Sequence, residues 1–201
     1  LDPYEATNFD LSIEYYGDDS FASVGYFKKD IENAIYPLAV ANTTVNGLFF
    51  DELLTFVNSD DSEVDGFELN IFQELNMLPD PFDGLFISMN FTITDGTSSL
   101  DVDNGTVTFP FRKLSEDVSN ISIGYDKNKF DVRLSYVSRS PYLDYLADDD
   151  SETIQEDLDN NNIRYTDDHT QIDFNLKYKI NDNVSVKFDI NNITDEPEFY
   201  Y

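Results

Sequence analysis

The chain has 201 residues, no cysteine, and 41 acidic against 12 basic residues, a formal net charge of −29. Without thiols it forms neither disulfides nor thiolate metal sites, and so few Lys and Arg leave no basic surface for nucleic acid. No apolar run reaches the roughly 18 residues a transmembrane helix needs, which leaves crossing by strands as the only membrane-spanning option to test.

Residues 8–16 set Phe9, Leu11, Ile13 and Tyr15 on one side and Asp10, Ser12 and Glu14 on the other. Gly17, Asp18, Asp19 and Ser20 are turn formers, and residues 21–28 return with Ala22, Val24 and Tyr26 against Ser23 and Gly25. Within residues 48–57 the apolar spacing predicts a short helical turn inside a loop. Residues 64–75 alternate again, Phe67, Leu69, Ile71 and Leu75 opposing Gly66, Glu68, Asn70 and Glu74, with Phe72 and Gln73 out of step. After a Pro-containing turn, Leu85, Ile87, Met89, Phe91 and Ile93 oppose Ser88, Asn90, Thr92 and Thr94, and Phe86 alone breaks the pattern.

The second half repeats the scheme. Ile121, Ile123 and Tyr125 face away from Asn120, Ser122 and Gly124, and residues 126–129 turn the chain. Phe130, Val132, Leu134 and Tyr136 then oppose Asp131, Arg133 and Ser135. Ile172, Phe174, Leu176 and Tyr178 oppose Asp173, Asn175 and Lys177; a turn at residues 181–183 leads to Val184, Val186, Phe188 and Ile190. Period-two alternation over such lengths specifies strands.

The connections alternate short and long. Long ones cover residues 32–63, 95–118, 140–170 and the stretch from Thr194. A soluble sandwich has no reason to collect its long loops at one end, whereas a transmembrane barrel has two different rims. Aromatic residues of the apolar parity, Tyr15, Tyr125, Phe130 and Tyr178, sit beside the short turns, where a ring suits a lipid–water boundary. The expected fold is therefore all-β: an antiparallel up-and-down transmembrane β-barrel wall of about eight strands, treated as one partial barrel domain over residues 1–201. A soluble carbohydrate-binding sandwich and a complete eight-stranded barrel are the alternatives.

Little in the chain looks catalytic, and no enzyme activity or cofactor is expected. His169 is the only histidine, so neither a typical zinc site nor a hydrolytic triad is indicated. Residues 101–112 and 148–159 resemble calcium loops only superficially, since Thr106 and Thr153 stand where an EF-hand requires Gly. The acids of residues 144–168 read as a solvated, self-repelling loop. Phe49, Phe50, Phe109, Phe111, Tyr142 and Tyr145 are candidates for stacking on a ligand, and Arg112 and Arg139 for an anionic group.

The segment from Phe174 to Pro197, ending in Asn191-Asn192-Ile193-Thr194-Asp195, resembles the penultimate hairpin of TonB-dependent outer-membrane receptors, with Ile193 for the usual Leu. Pro3 to Phe9, Gly25 to Ile31 and Val64 to Leu69 are similar to other strand segments of that family. The resemblance implies part of a barrel of about 22 strands, without the plug domain and the last strand. It places the protein in the bacterial outer membrane, among lipid and lipopolysaccharide. It also implies three partners: its own plug, the TonB complex and an extracellular solute such as siderophore-bound iron, cobalamin or an oligosaccharide. Asn191, Asn192, Thr194 and Asp195 then take a structural role at the strand end.

Overall fold

The computed structural model describes residues 1–102, 105–145 and 163–201. The strands among them are β1 (Glu5–Tyr16), β2 (Ser20–Glu32), β3 (Ile35–Val45), β4 (Leu48–Asn58), β5 (Asp61–Glu74), β6 (Leu85–Val102) and β7 (Gly105–Pro110). They continue with β8 (Asp117–Lys127), β9 (Phe130–Arg139), β10 (Tyr142–Tyr145), β11 (Arg164–Thr166), β12 (His169–Asn181) and β13 (Val184–Ile190). One antiparallel sheet runs β1-β2-β5-β6-β8-β9-β12-β13, with β7 paired to the extension of β6. Each sheet neighbour is reached by a tight turn at one rim and a long excursion at the other, and the sheet does not close on itself.

The tight turns follow from their residues. Gly17 N–H donates to the Ser20 carbonyl at 2.8 Å. Asn128 adopts φ 58° between β8 and β9, and the Asn181 side chain accepts the Asn183 N–H at 2.9 Å between β12 and β13. Below β6, the Lys127 ammonium is held by Asp80 and Asp83, fastening the longest of the short connections to β8.

The alternation maps onto two faces, and the apolar one is uncovered. Leu11 is 61% exposed, Ile123 52% and Phe188 53%. In a sandwich these side chains would form the core; here the buried hydrophobic residues lie instead in the long-loop region, among them Ile31, Tyr36, Leu100, Phe109 and Leu143. Register supplies a second observation. The row that starts at Tyr15, the lowest apolar position on β1, runs through Ala22, Ile71, Met89, Ile121 and Tyr136 to Ile172, the highest on β12. A level apolar band crosses the rows diagonally in this way when the strands are inclined to its normal, as barrel strands are.

Two sequence expectations need correction. Residues 48–57 form no helical turn but lie within β4, paired along its length with β3. The reason is the turn: Asn46 and Gly47 take φ 53° and 80°, the left-handed pair that a two-residue hairpin requires, and the ladder then outweighs helical spacing. Likewise the described parts of the first three long connections are largely strands. They carry the β3–β4 hairpin, the β6–β7 extension and the β10–β11 hairpin, which pack together as a crown.

Candidate functional site: the polar wall and the crown

On the polar face, side chains of successive strands meet in rows. Asn120 donates to the Asn90 side-chain oxygen at 3.3 Å, Asn90 to Asn70 at 2.6 Å, and Asn70 to the Ser23 hydroxyl at 3.1 Å. Each amide spends one N–H on its neighbour, so a second donor and an acceptor lone pair per residue stay available to whatever fills the barrel. Ser122 and Ser135 hydrogen bond at 2.9 Å in the next row toward the short turns.

That lower level is also aromatic. Phe72 and Phe86, the two phenylalanines that broke the alternation, both point to the polar face and meet at 5.9 Å between ring centroids. Phe21 lies beside Phe72 in register and 5.1 Å from the Tyr16 ring. Arg133 covers Phe86 at 5.4 Å. Gly124 makes room, since a Cβ there would lie 2.1 Å from the Phe86 ring. A wall facing only water gains nothing from such rings; one that seats another protein surface does.

The crown is held by hydroxyls and guanidinium groups. Tyr36, Ser98, Ser62 and Ser59 form a buried chain with oxygen separations of 2.6, 2.6 and 3.1 Å, tying the β3–β4 hairpin to β5 and β6. Burial pushes the Tyr36 phenol above its ordinary pKa. At the edge of this region partial desolvation, helped by the Asp101 charge, raises the Asp60 carboxyl.

The ligand candidates fall in three places. Phe49 is 61% exposed and Phe50 half-buried near the tip of the β3–β4 hairpin. Phe109 is 2% exposed and meets Tyr36 edge-on at 5.4 Å; Phe111 packs against the same core. Arg112 donates to the Asp144 carbonyl at 2.7 and 3.0 Å and lies over the Tyr36 ring. Arg139 donates to the Asp167 carbonyl at 2.7 Å and to Glu198 at 2.8 Å, with its guanidinium 4.9 Å from the centre of Tyr142. The backbone of Tyr145 pairs with Arg164 at the end of β10. Both calcium-loop candidates include residues outside the described ones, at 103–104 and 148–159.

Beyond β13, Asn191 leads into a tight reversal centred on Asn192. Asn192 N–H donates to Asp173 at 2.8 Å, its side-chain oxygen accepts the Glu196 N–H at 2.9 Å, and its amide donates to the Glu196 carbonyl at 3.0 Å. Thr194 reaches the same oxygen at 3.4 Å, and Asn192 and Asp195 both take φ 53°. The chain then runs back to pair with β11: Tyr165 and Tyr201 exchange backbone hydrogen bonds of 2.7 and 3.0 Å. Tyr36, Arg164, Thr166 and Tyr200 escaped the sequence reading, because their partners lie far along the chain. Asp144, read there as a solvated loop acid, is instead buried and paired with Arg164, and most of that acidic stretch, residues 146–162, lies outside the described residues. For Phe72 and Phe86 the broken parity was itself the signal.

An antiparallel sheet that is apolar outward and polar inward, with tight turns on one rim and a packed crown on the other, is a piece of transmembrane β-barrel wall. Residues 1–193 match the family described as TonB dependent receptor-like, beta-barrel, and the chain belongs to that family. No curated protein matches the sequence.

Solved structures agree in fold. The siderophore receptor PirA from Acinetobacter baumannii superposes with a TM-score of 0.64 at 19% identity, over 97% of this chain and 28% of that one. A point mutant of the ferric enterobactin receptor from Pseudomonas aeruginosa gives 0.62 at 16%, over 96% and 26%. The ferric-catecholate import receptor Fiu from K12 E. coli gives 0.62 at 15%, over 97% and 24%. The chain thus spans about a quarter of the length of these receptors. The family is one of outer-membrane receptors and transporters rather than enzymes.

Proposed function

We propose that this chain is part of the wall of a receptor that imports a large, scarce solute across the bacterial outer membrane, driven by the TonB complex. The solute classes that fit are siderophore-bound iron, cobalamin and oligosaccharides. In this reading the outward apolar band contacts lipid and, near the crown, lipopolysaccharide. The crown belongs to the extracellular mouth, and Phe49, Phe50, Arg139 and Tyr142 are its accessible recognition residues, while Phe109 and Arg112 support it from within.

The observation that carries the proposal is the lumenal cluster of Tyr16, Phe21, Phe72 and Phe86 with Arg133. Aromatic surface on an otherwise polar inner wall calls for a protein partner, and the receptor's own plug domain is the partner of that description. A plug seated there must be remodelled before solute passes, which is where energy coupling enters.

Uptake measurements on isogenic cells test this. Labelled ferric siderophores, cobalamin and oligosaccharides are offered to cells with and without the full-length receptor, in TonB-positive and TonB-negative backgrounds. One solute class is expected to accumulate only when receptor and TonB are both present. Equal accumulation without TonB contradicts the energy-coupled reading.

A further inference from the structure

The 12 basic residues are unevenly placed. Residues 11–25 and 66–90, which include the short-turn half of β1, β2, β5 and β6, contain no Lys or Arg. The corresponding half of β9, β12 and β13 carries Arg133, Lys177 and Lys187 on the polar face. Phe86, Gly124, Arg133, Asn175 and Asp189 form one row of that face. Side chains in one row share a face. In the next row toward the short turns, Lys177 stands directly opposite Lys187.

Like charges opposed across a ladder repel, and the wall itself does not relieve them. Among the described residues, no carboxylate comes within 4.0 Å of the charged nitrogens of Arg133, Lys177 or Lys187. Asp131, across from Lys177, and Asp126 beyond it stay outside ion-pair distance. Asp189 accepts the Asn175 amide at 3.0 Å, and Asp173 is taken by Gln171 and Asn192. Arg133 and Lys187 are exposed, and Arg133 joins this patch to the aromatic cluster by its contact with Phe86. A solute in transit meets these charges only briefly, whereas the repulsion between the two lysines lasts as long as the barrel is folded. A resident anionic partner offsets it.

We infer that the plug segment seated against β9, β12 and β13 is acidic, with its carboxylates on Arg133, Lys177 and Lys187. This rests on the importer reading, in which a plug fills the lumen, and specifies the chemistry of the surface that meets this stretch of wall. Such ion pairs also set how the plug is turned, because the lower half of β1 to β6 offers its carboxylates no cation.

The test uses the full-length receptor in outer-membrane vesicles with no solute added. A water-soluble carbodiimide condenses an amine with a carboxylate only where the two touch, and mass spectrometry of the digest identifies the joined residues. Lys177 or Lys187 is expected to be joined to an Asp or Glu of the plug. Pore opening is the second readout: in planar bilayers, urea loosens the plug and conductance through the barrel rises. Lys177→Glu combined with Lys187→Glu, and separately Arg133→Glu, should raise the open fraction at a fixed urea concentration on the order of tenfold. High salt should narrow the difference between the native receptor and these variants. Heat-modifiable gel migration verifies that each barrel is folded, and a misfolded variant is replaced by the milder Lys187→Gln or Arg133→Gln. Cross-links from the two lysines to carboxylates of the wall alone, or to none, overturn the inference. So does an unchanged open fraction in both variants, or a plug link that forms only after solute is added. TonB-dependent uptake without plug cross-links sinks this inference and leaves the importer reading standing. Plug cross-links with TonB-independent uptake do the reverse.

Discussion

Gly124 and Phe86 show how one residue shapes the inner wall. The glycine does not answer a backbone demand; it clears the space the Phe86 ring fills, and a methyl at that point forces the ring away. Gly124→Ala is expected to destabilise the folded barrel by about 1–3 kcal/mol, measured by urea unfolding in lipid vesicles. Phe86→Ala in the same chain should recover much of the Gly124→Ala loss, and strict additivity of the two would contradict the contact. Tyr36 allows a pH prediction. Burial raises its pKa, so the neutral phenol is favoured in the folded crown. That contribution is complete below pH ~10 and is lost as the pH rises through the folded value. Protection factors of the β3–β4 amides, the exchange rates corrected for base-catalysed intrinsic exchange, should therefore fall at alkaline pH in the native chain and not do so in Tyr36→Phe, which itself costs about 1 kcal/mol. Such pairings were half legible in the sequence. Phe72 and Phe86 announced themselves by breaking parity, but nothing local pointed to Gly124 as the counterpart of Phe86 or to Ser98 as that of Tyr36.

At the scale of elements, faces and turns carry the fold. Ile123 and Ser122 are neighbours in β8, yet the first points out of the sheet and the second hydrogen bonds to Ser135 on the inner wall. Ile123→Arg is predicted to cost about 2–4 kcal/mol in membrane folding and Ser122→Arg much less. Equal losses at both positions would contradict the assignment of faces. The reversal after β13 depends on one side chain that makes several bonds and on a left-handed backbone at Asn192. Asn192→Ala should loosen the tail from β11, read as faster exchange at Tyr165 and Tyr201. The transmembrane strands were legible because each face follows from period two alone. The β3–β4 hairpin was not, because both of its sides are apolar: Tyr36 and Val57 pack inward while Leu54 and Phe56 remain exposed. Its signal was the Asn46–Gly47 turn, overshadowed by helical spacing in Leu48 to Val57.

Across the whole molecule, hydrophobic burial and hydrophobic exposure are separated in space. Side chains buried by protein gather in the crown, and the wall leaves its apolar band to be covered by something other than this chain. The diagonal path of that band through the register fits inclined strands in a bilayer and has no cause in a soluble sandwich. These 201 residues contain no cysteine, so a single introduced cysteine is unambiguous within them once any cysteine elsewhere in the receptor is replaced. Spin labels at Leu69, Ile123 and Phe188, and at Asn70, Ser122 and Asp189, in the full-length receptor reconstituted in lipid test the central claim most directly. The first three should collide with oxygen dissolved in lipid and be shielded from a water-soluble nickel chelate, with the second three shielded from the lipid-borne oxygen. Shielding of the first three from both reagents would mean a second layer of protein covers them, and the barrel account would be wrong.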